Sequence, residues 1–303
     1  MRHALDLSAV RALRRLVAGE HVALVHTHSS VDAWLGGLAG RRAGVPVVRS
    51  RHVTIAVPRR RALVYRLADR VVTSGEAVAA VLAGAGVPRA KLVPIAPGVD
   101  TRRFHPGVTG AGVRAELGLG QAPVVGLVAN IRGSKGHDYF LAAAGDVLRE
   151  EPRARFVIVG DGVGFDDVRR RVATLGLEAA VTLTGFRRDI PEVLASLDVL
   201  TLPSIRSEAT SQVLLQALAV GTPVVASTVG GSSEVVRDGE TGRLVPPADA
   251  PALARAILEL LRDRTRARAM ARRGQTLVGE RYSLDASMER LTAVYTELLA
   301  ARG

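Results

Sequence analysis

Short apolar runs alternate along this chain with longer stretches of helical periodicity. Nine runs read as strands: His21–His26, Val45–Ser50, Arg70–Thr73, Leu92–Ile95, Pro123–Ala129, Arg155–Val159, Ala180–Leu183, Val199–Leu202 and Pro223–Ala226. Several are rich in valine and show no polar alternation, the pattern of strands buried on both faces of a parallel sheet. Between them the spacing predicts helices over Val31–Arg42, Gly75–Ala83, Asp138–Arg149, Asp166–Ala173, Ser211–Leu218 and Pro251–Arg262. Pro251 suits a first helical position, where no N–H is needed. The start, Met1 to Leu16, reads as an arginine-bearing helix and not as a signal peptide. A βαβα order of this kind gives open α/β architecture.

Turn chemistry interrupts the pattern between Ala96 and Gly112, in Ala96-Pro97-Gly98-Val99-Asp100 and again in Phe104-His105-Pro106-Gly107. A linker there divides the chain into a first domain over 1–108 and a second over 109–283. The last helix, Leu284–Ala301, is expected to return to the first domain. Ligands of open α/β sheets sit beyond the carboxyl ends of the strands. In two such domains the cleft between them is the expected site.

Composition narrows the chemistry. The 303 residues contain no cysteine, which excludes disulfides, thiolate metal sites and thiol catalysis. Aromatic residues make up 3%, too few for a surface that stacks successive nucleobases. A net charge of +12 comes almost wholly from arginine, since only Lys91 and Lys135 are lysines. The arginines are dispersed and form no stripe, so no nucleic-acid partner is expected. Arg11, Arg14, Arg15 and Arg59–Arg61 suit peripheral contact with an anionic membrane. No run approaches a membrane span of roughly 18 apolar residues. The expected location is therefore cytoplasmic, at most peripheral on the inner face of the membrane.

Three strand ends carry candidate chemistry. After Pro123–Ala129, Arg132 and Lys135 flank a glycine at a strand-to-helix turn, an arrangement suited to a diphosphate. The spacing is not that of a P-loop. After Arg155–Val159, Gly160-Asp161-Gly162 resembles half of a dinucleotide loop, and nothing completes the fingerprint. After Val199–Leu202, one loop-and-helix unit offers the carboxylate of Glu208, a helix start capped by Thr210 or Ser211, and the amide of Gln216. A carboxylate suits sugar hydroxyls, and an amide suits a vicinal diol. His26 and His28 form an H-x-H with no matching third ligand, so no metal is expected.

Taken in order, these segments resemble the retaining glycosyltransferases of family 4. Pro203 to Ser227, Gly230-Gly231-Ser232-Ser233-Glu234 through Val245, Gly185-Phe186-Arg187-Arg188-Asp189 and Pro97-Gly98-Val99-Asp100 all take part. The resemblance implies a GT-B fold: two Rossmann-like, doubly wound parallel-sheet domains. It implies a nucleotide-diphosphate sugar as donor, with no cofactor and no metal. The acceptor hydroxyl would belong to a glycan or a lipid-linked saccharide, as in cell-envelope polysaccharide synthesis.

Carried over, the basic pair on the donor diphosphate falls on Arg132 and Lys135, and the nucleobase contact on Phe186 and Arg187. The E-x7-E motif falls on Glu208, which touches the transferred sugar, and on Gln216, where the family usually has a second glutamate on the ribose. Losing that charge weakens ribose binding by roughly 1–2 kcal/mol. Gly160, Thr210 and Ser211 complete the donor side. His52 falls where family members hold a histidine near the reacting carbon.

The family's first domain usually opens with a further strand and a glycine-rich loop, which this sequence does not show ahead of His21. The first domain is accordingly expected to be incomplete, with an exposed sheet edge. Two alternatives share the fold: a sugar-nucleotide epimerase, and a non-catalytic nucleotide-sugar-binding fragment.

Overall fold

A computed structural model describes residues 6–301. By its internal contacts the chain divides into two compact units. One is formed by the residues up to Gly98 together with those from Asp285 on, and the other by Val99–Leu284.

The first unit runs α1 (Leu7–Gly19), β1 (Val25–Thr27), α2 (Ser30–Ala43), β2 (Val47–Arg51), α3 (Arg59–Ala62), a 3₁₀ turn (Leu63–Leu67), β3 (Arg70–Thr73), α4 (Glu76–Gly84) and β4 (Leu92–Pro94). Its four strands are parallel and lie in the order β1-β2-β3-β4. A capping box starts α2: Asp32 accepts from the Ser29 N–H at 2.7 Å, and Gly44, in the left-handed region at φ 77°, ends it.

The second unit holds α5 (Ala111–Glu116), β5 (Val124–Val128), α6 (His137–Glu150), β6 (Arg155–Val159), α7 (Phe165–Thr174), β7 (Val181–Gly185), α8 (Ile190–Ser196), β8 (Val199–Leu202), α9 (Gln212–Val220), β9 (Val224–Ser227), α10 (Ser232–Val235), β10 (Arg243–Val245), α11 (Ala250–Arg262) and α12 (Arg264–Arg281). Its six parallel strands lie in the order β10-β9-β8-β5-β6-β7. Successive residues of β5 serve opposite faces. Val125 and Leu127 join the core with Phe140, Phe156 and Ile257, while Val124 and Val128 join that of Leu194, Leu200 and Leu214. The chain winds outward from β5 through β6 and β7, then crosses to β8 on the other side of β5. The loops after β5 and β8 therefore leave in opposite directions, which makes this the switch point of the sheet.

Helix α13 (Leu284–Ala300) packs on the first unit. Val294 and Leu298 bury against Val48, Val72 and Ile95, and the Ser287 hydroxyl donates to the Ala96 carbonyl at 3.0 Å.

Several boundaries differ from those expected. The division falls between Gly98 and Val99, not at residue 108. The segment expected as a linker belongs to the second unit: Val99 N–H donates to Tyr282 at 2.8 Å, and Val99 and Phe104 are buried in its core. Turn residues read as a linker because Asp100 does organise a turn, accepting from the Arg102 N–H at 3.0 Å. The first strand is Val25–Thr27 because α1 runs on to Gly19, and His21, with φ 49°, turns the chain behind it. The expected helix start at Met1 lies outside the described residues. Strand β10 and helix α12 were not foreseen. Beneath its many arginines α12 buries Ala267, Met270, Ala271, Gly274, Leu277 and Val278, an apolar stripe at helical spacing that a polar composition hides.

Truncating Leu298 should loosen the first unit alone. Leu298→Ala is expected to cost about 2–3 kcal/mol there. By hydrogen exchange, β2 and β3 amides lose protection while β5 and β8 keep theirs; equal losses in both units would contradict the assignment of α13.

Candidate active site

Four side chains meet at the switch point of the second sheet. Lys135, on the loop after β5, places Nζ 2.7 Å from Oε2 of Glu208, on the loop after β8. The fully buried Ser204 donates to the same oxygen at 2.6 Å. Ser227, at the end of β9, donates in turn to the Ser204 carbonyl. The backbones are tied as well: Ile205 N–H donates to Ser134 O at 2.9 Å, and Gly231 N–H to Glu208 O at 3.0 Å. Glu208 is only 8% exposed. A buried carboxylate is tolerated because a cation and a hydroxyl both reach it.

The loops approach so closely that two glycines are obligatory. Gly136 sits at φ 76°, and a Cβ there would fall 1.9 Å from the Pro203 carbonyl oxygen. Gly160 sits at φ 141°, where a Cβ would fall 1.9 Å from Ala129 O. Gly160 thus allows the turns after β5 and β6 to cross.

The other expected residues divide. Ser211 is the N-cap residue of α9, with extended backbone, yet its side chain makes no capping bond. Thr210 buries its hydroxyl without a partner. Gln216 is half-buried inside α9, and Arg132 is exposed at the tip of its loop. Phe186 is 71% exposed, as an apolar platform at the end of β7. Arg187, beside it, is committed elsewhere. It makes paired bonds to Glu116, at 2.6 and 2.8 Å, and to Asp189, at 2.9 and 2.5 Å. These carboxylates hold its pKa above the ordinary arginine value and make it a strut between α5 and the start of α8.

Three residues that the sequence reading did not single out border the same loops. Ser204 anchors Glu208. His137, the first residue of α6, buries Nε2 without a partner, and Ser232, at the start of α10, does the same with its hydroxyl. Buried polar atoms normally find partners, so orphaned ones beside a strand end mark a place where a ligand or water completes the set. Position on a loop after a strand, or at the start of the helix that follows it, was the available signal. Burial pushes His137 down to about 4, with Asp138 opposing and Lys135 adding to the shift.

In the first unit, His52 is exposed after β2 and stacks on His28, with ring centroids 5.8 Å apart. His28 in turn lies 4.2 Å from His26. His26 is fixed at both ring nitrogens: Nδ1 lies 2.6 Å from the Tyr295 hydroxyl, and Nε2 lies 2.9 Å from Ser50 Oγ. Burial, then the neighbouring His28 and His52, push His26 down to about 4, which keeps it neutral. Desolvation, His28 and Arg51 lower His52 also. Among the described residues no group of three or more His, Asp or Glu is arranged to hold a metal ion, and no helix is long and apolar enough to cross a membrane.

Two parallel-sheet α/β units of this kind define the GT-B glycosyltransferase fold. The model for glycosyl transferases group 1 matches residues 122–263, and that for glycosyltransferase family 4 matches residues 1–103. The GDP-mannose-dependent alpha-(1-6)-phosphatidylinositol monomannoside mannosyltransferase of Mycolicibacterium smegmatis is 32% identical over 312 residues, covering 94% of this chain and 80% of that protein. The alpha-D-kanosaminyltransferase of Streptomyces kanamyceticus is 34% identical over 190 residues, covering 62% of this chain and 49% of that protein. This chain therefore spans about half the length of the latter relative. Anabaena HepE, solved in complex with UDP, superimposes with a TM-score of 0.87 at 23% identity, over 95% of this chain and 82% of that one. The chain belongs to the family-4 glycosyltransferases.

Two outcomes test the geometry. Gly136→Ala is expected to lower the unfolding midpoint of the second unit and to detach Lys135 from Glu208, seen as loss of the ion pair in a crystal structure of the variant. An unmoved Lys135 would contradict the role given to this glycine. The second outcome concerns pH. His137 is neutral in the folded state and gains a proton on unfolding below its ordinary value near 6.5. Its contribution is therefore present above that value and lost as pH falls toward about 4. Between pH 7 and 4 the native chain should lose on the order of 2–3 kcal/mol more stability than His137→Gln, as read by urea unfolding of both.

Proposed function

We propose that this chain transfers a sugar from a nucleoside diphosphate donor to an acceptor hydroxyl of a glycan or lipid-linked saccharide, with retention of anomeric configuration. The observation that carries the reading is the Lys135–Glu208 contact at the switch point, a cation and a carboxylate on two loops that leave neighbouring strands in opposite directions. Cleaving the bond between sugar and diphosphate leaves negative charge on the phosphate oxygens. Lys135, the exposed Arg132 and the N–H end of α9 supply positive potential there without reorganisation, in place of a divalent ion. Both bonds to Glu208 fall on Oε2, so Oε1 is left to accept from a sugar hydroxyl. Gln216 presents an amide to the ribose diol, and Phe186 an apolar face to the base. In the first unit, the family resemblance makes His52 the candidate for an acceptor-side histidine. The mannosyltransferase relative is named for a GDP-mannose donor, and HepE was solved with UDP, which supports a nucleotide sugar as the donor class.

Calorimetry tests the donor half. Lys135→Met should weaken a nucleoside diphosphate by roughly tenfold to a hundredfold and leave the nucleoside within about twofold. The double variant Lys135→Met/Glu208→Gln controls for the carboxylate left unpaired. Equal losses for diphosphate and nucleoside would overturn the assignment. Gln216→Glu should keep or raise donor affinity, and lost binding in that variant would count against a ribose contact. Retention is read from the anomeric proton coupling of the product formed from an α-linked donor.

A further inference from the structure

The first unit buries an arginine that its own chain does not satisfy. Arg49, in the interior strand β2, is 5% exposed, and its guanidinium lies 3.9 Å over the ring of Tyr65. Its Nε and Nη1 are buried with no hydrogen-bond partner, and so is the Tyr65 hydroxyl. A guanidinium carries five N–H donors in a fixed fork, and burying it unpaired is costly. Cation–π contact with Tyr65 offsets part of that cost but satisfies no donor. No carboxylate lines the cavity beside it. Asp32, which acts on Arg49 through space, is already engaged by the backbone N–H groups of His28 and Ser29.

Arg49 and Tyr65 line a cavity of about 460 Å³. Arg51, Arg60 and Arg61 stand around it, and Trp34, Val53, Ile55 and Val57 form an apolar wall. The wall is held open to solvent by Arg51, which donates to the Val53 and Ile55 carbonyls at 3.1 and 3.0 Å. Val53 is 42% exposed and Ile55 is 63% exposed. An unsatisfied buried cation with further arginines at the rim selects a phosphate, whose oxygens match the guanidinium fork. The exposed apolar side chains next to it select hydrocarbon. A neutral sugar satisfies neither half.

We infer that this cavity binds a phosphate ester joined to an apolar chain, with the phosphate on Arg49 and Tyr65 and the chain along Trp34, Val53 and Ile55. Its assignment as the acceptor rests on the transferase reading above; the binding itself does not.

Trp34 is the single tryptophan of the chain and lines the cavity, so its emission reports occupancy directly. The full chain is titrated with farnesyl phosphate below its micellar concentration, with farnesol, and with inorganic phosphate. Farnesyl phosphate is expected to give a saturable change at a midpoint at least about tenfold lower than either part alone. Arg49→Met should raise that midpoint roughly tenfold or more. Arg61→Gln, an exposed change that leaves the core untouched, should raise it roughly threefold and keeps the test decisive if Arg49→Met fails to fold. The inference is overturned by the absence of a saturable change, or by unaltered midpoints in the folded variants. Inorganic phosphate matching farnesyl phosphate would overturn the apolar half and point to a free phosphate ester. Farnesol matching it would overturn the phosphate half. Calorimetry with a nucleoside diphosphate on the same samples separates failure of this cavity from failure of the donor site.

Discussion

A lysine and a glutamate held together away from water set the geometry of the second unit. Desolvating two such charges is unfavourable unless each is well placed, and here the supporting contacts come from three strand ends. Lys135 arrives from β5, Glu208 and Ser204 from β8, Ser227 from β9, and the loops are fastened by the Ile205–Ser134 backbone bond. Apart from the Ser204–Glu208 bond, four positions apart, none of these contacts is local. They exist because a parallel sheet puts all its carboxyl ends on one side, and because the chain changes winding direction between β5 and β8. The cost of the pair is the reason the loops are so tight, down to a glycine at 136 that no other residue replaces without moving Pro203.

The same economy shapes the first unit with different chemistry. Its short sheet places neutral, doubly bonded His26 under His28 and His52, and fixes it from α13 through Tyr295. Three positions before His52, Arg49 is buried with an aromatic ring as company. Groups whose hydrogen-bonding or charge is not met by their own fold are the ones through which a protein meets a ligand. Among the described residues these are Thr210, His137 and Ser232 in the second unit, and Arg49, Tyr65 and Ser74 in the first.

Much of the architecture was legible in the residues. Arg70–Thr73, Arg155–Val159 and Val199–Leu202 lie in the structure where their apolar runs place them, because strands covered on both faces must be apolar throughout. What escaped were elements whose burial is partial or whose apolar stripe is narrow among charged residues, such as β10 and the arginine-covered α12. Arg187 was legible as a charge beside an aromatic, but its neutralisation by Glu116, 71 positions earlier, was not.

Sequence alone determined the α/β class, the placing of Lys135 and Glu208 at strand ends, and the family resemblance, since all three follow from patterns a few residues wide. Tertiary structure decided which of those groups touch. It brought Lys135 and Glu208 to 2.7 Å across 73 positions, gave Arg187 to two carboxylates, and left Nε and Nη1 of Arg49 without a hydrogen-bond partner. The physical reason is that ion pairing and desolvation depend on distance and burial, and neither is set until the sheet order and the winding of the loops are fixed.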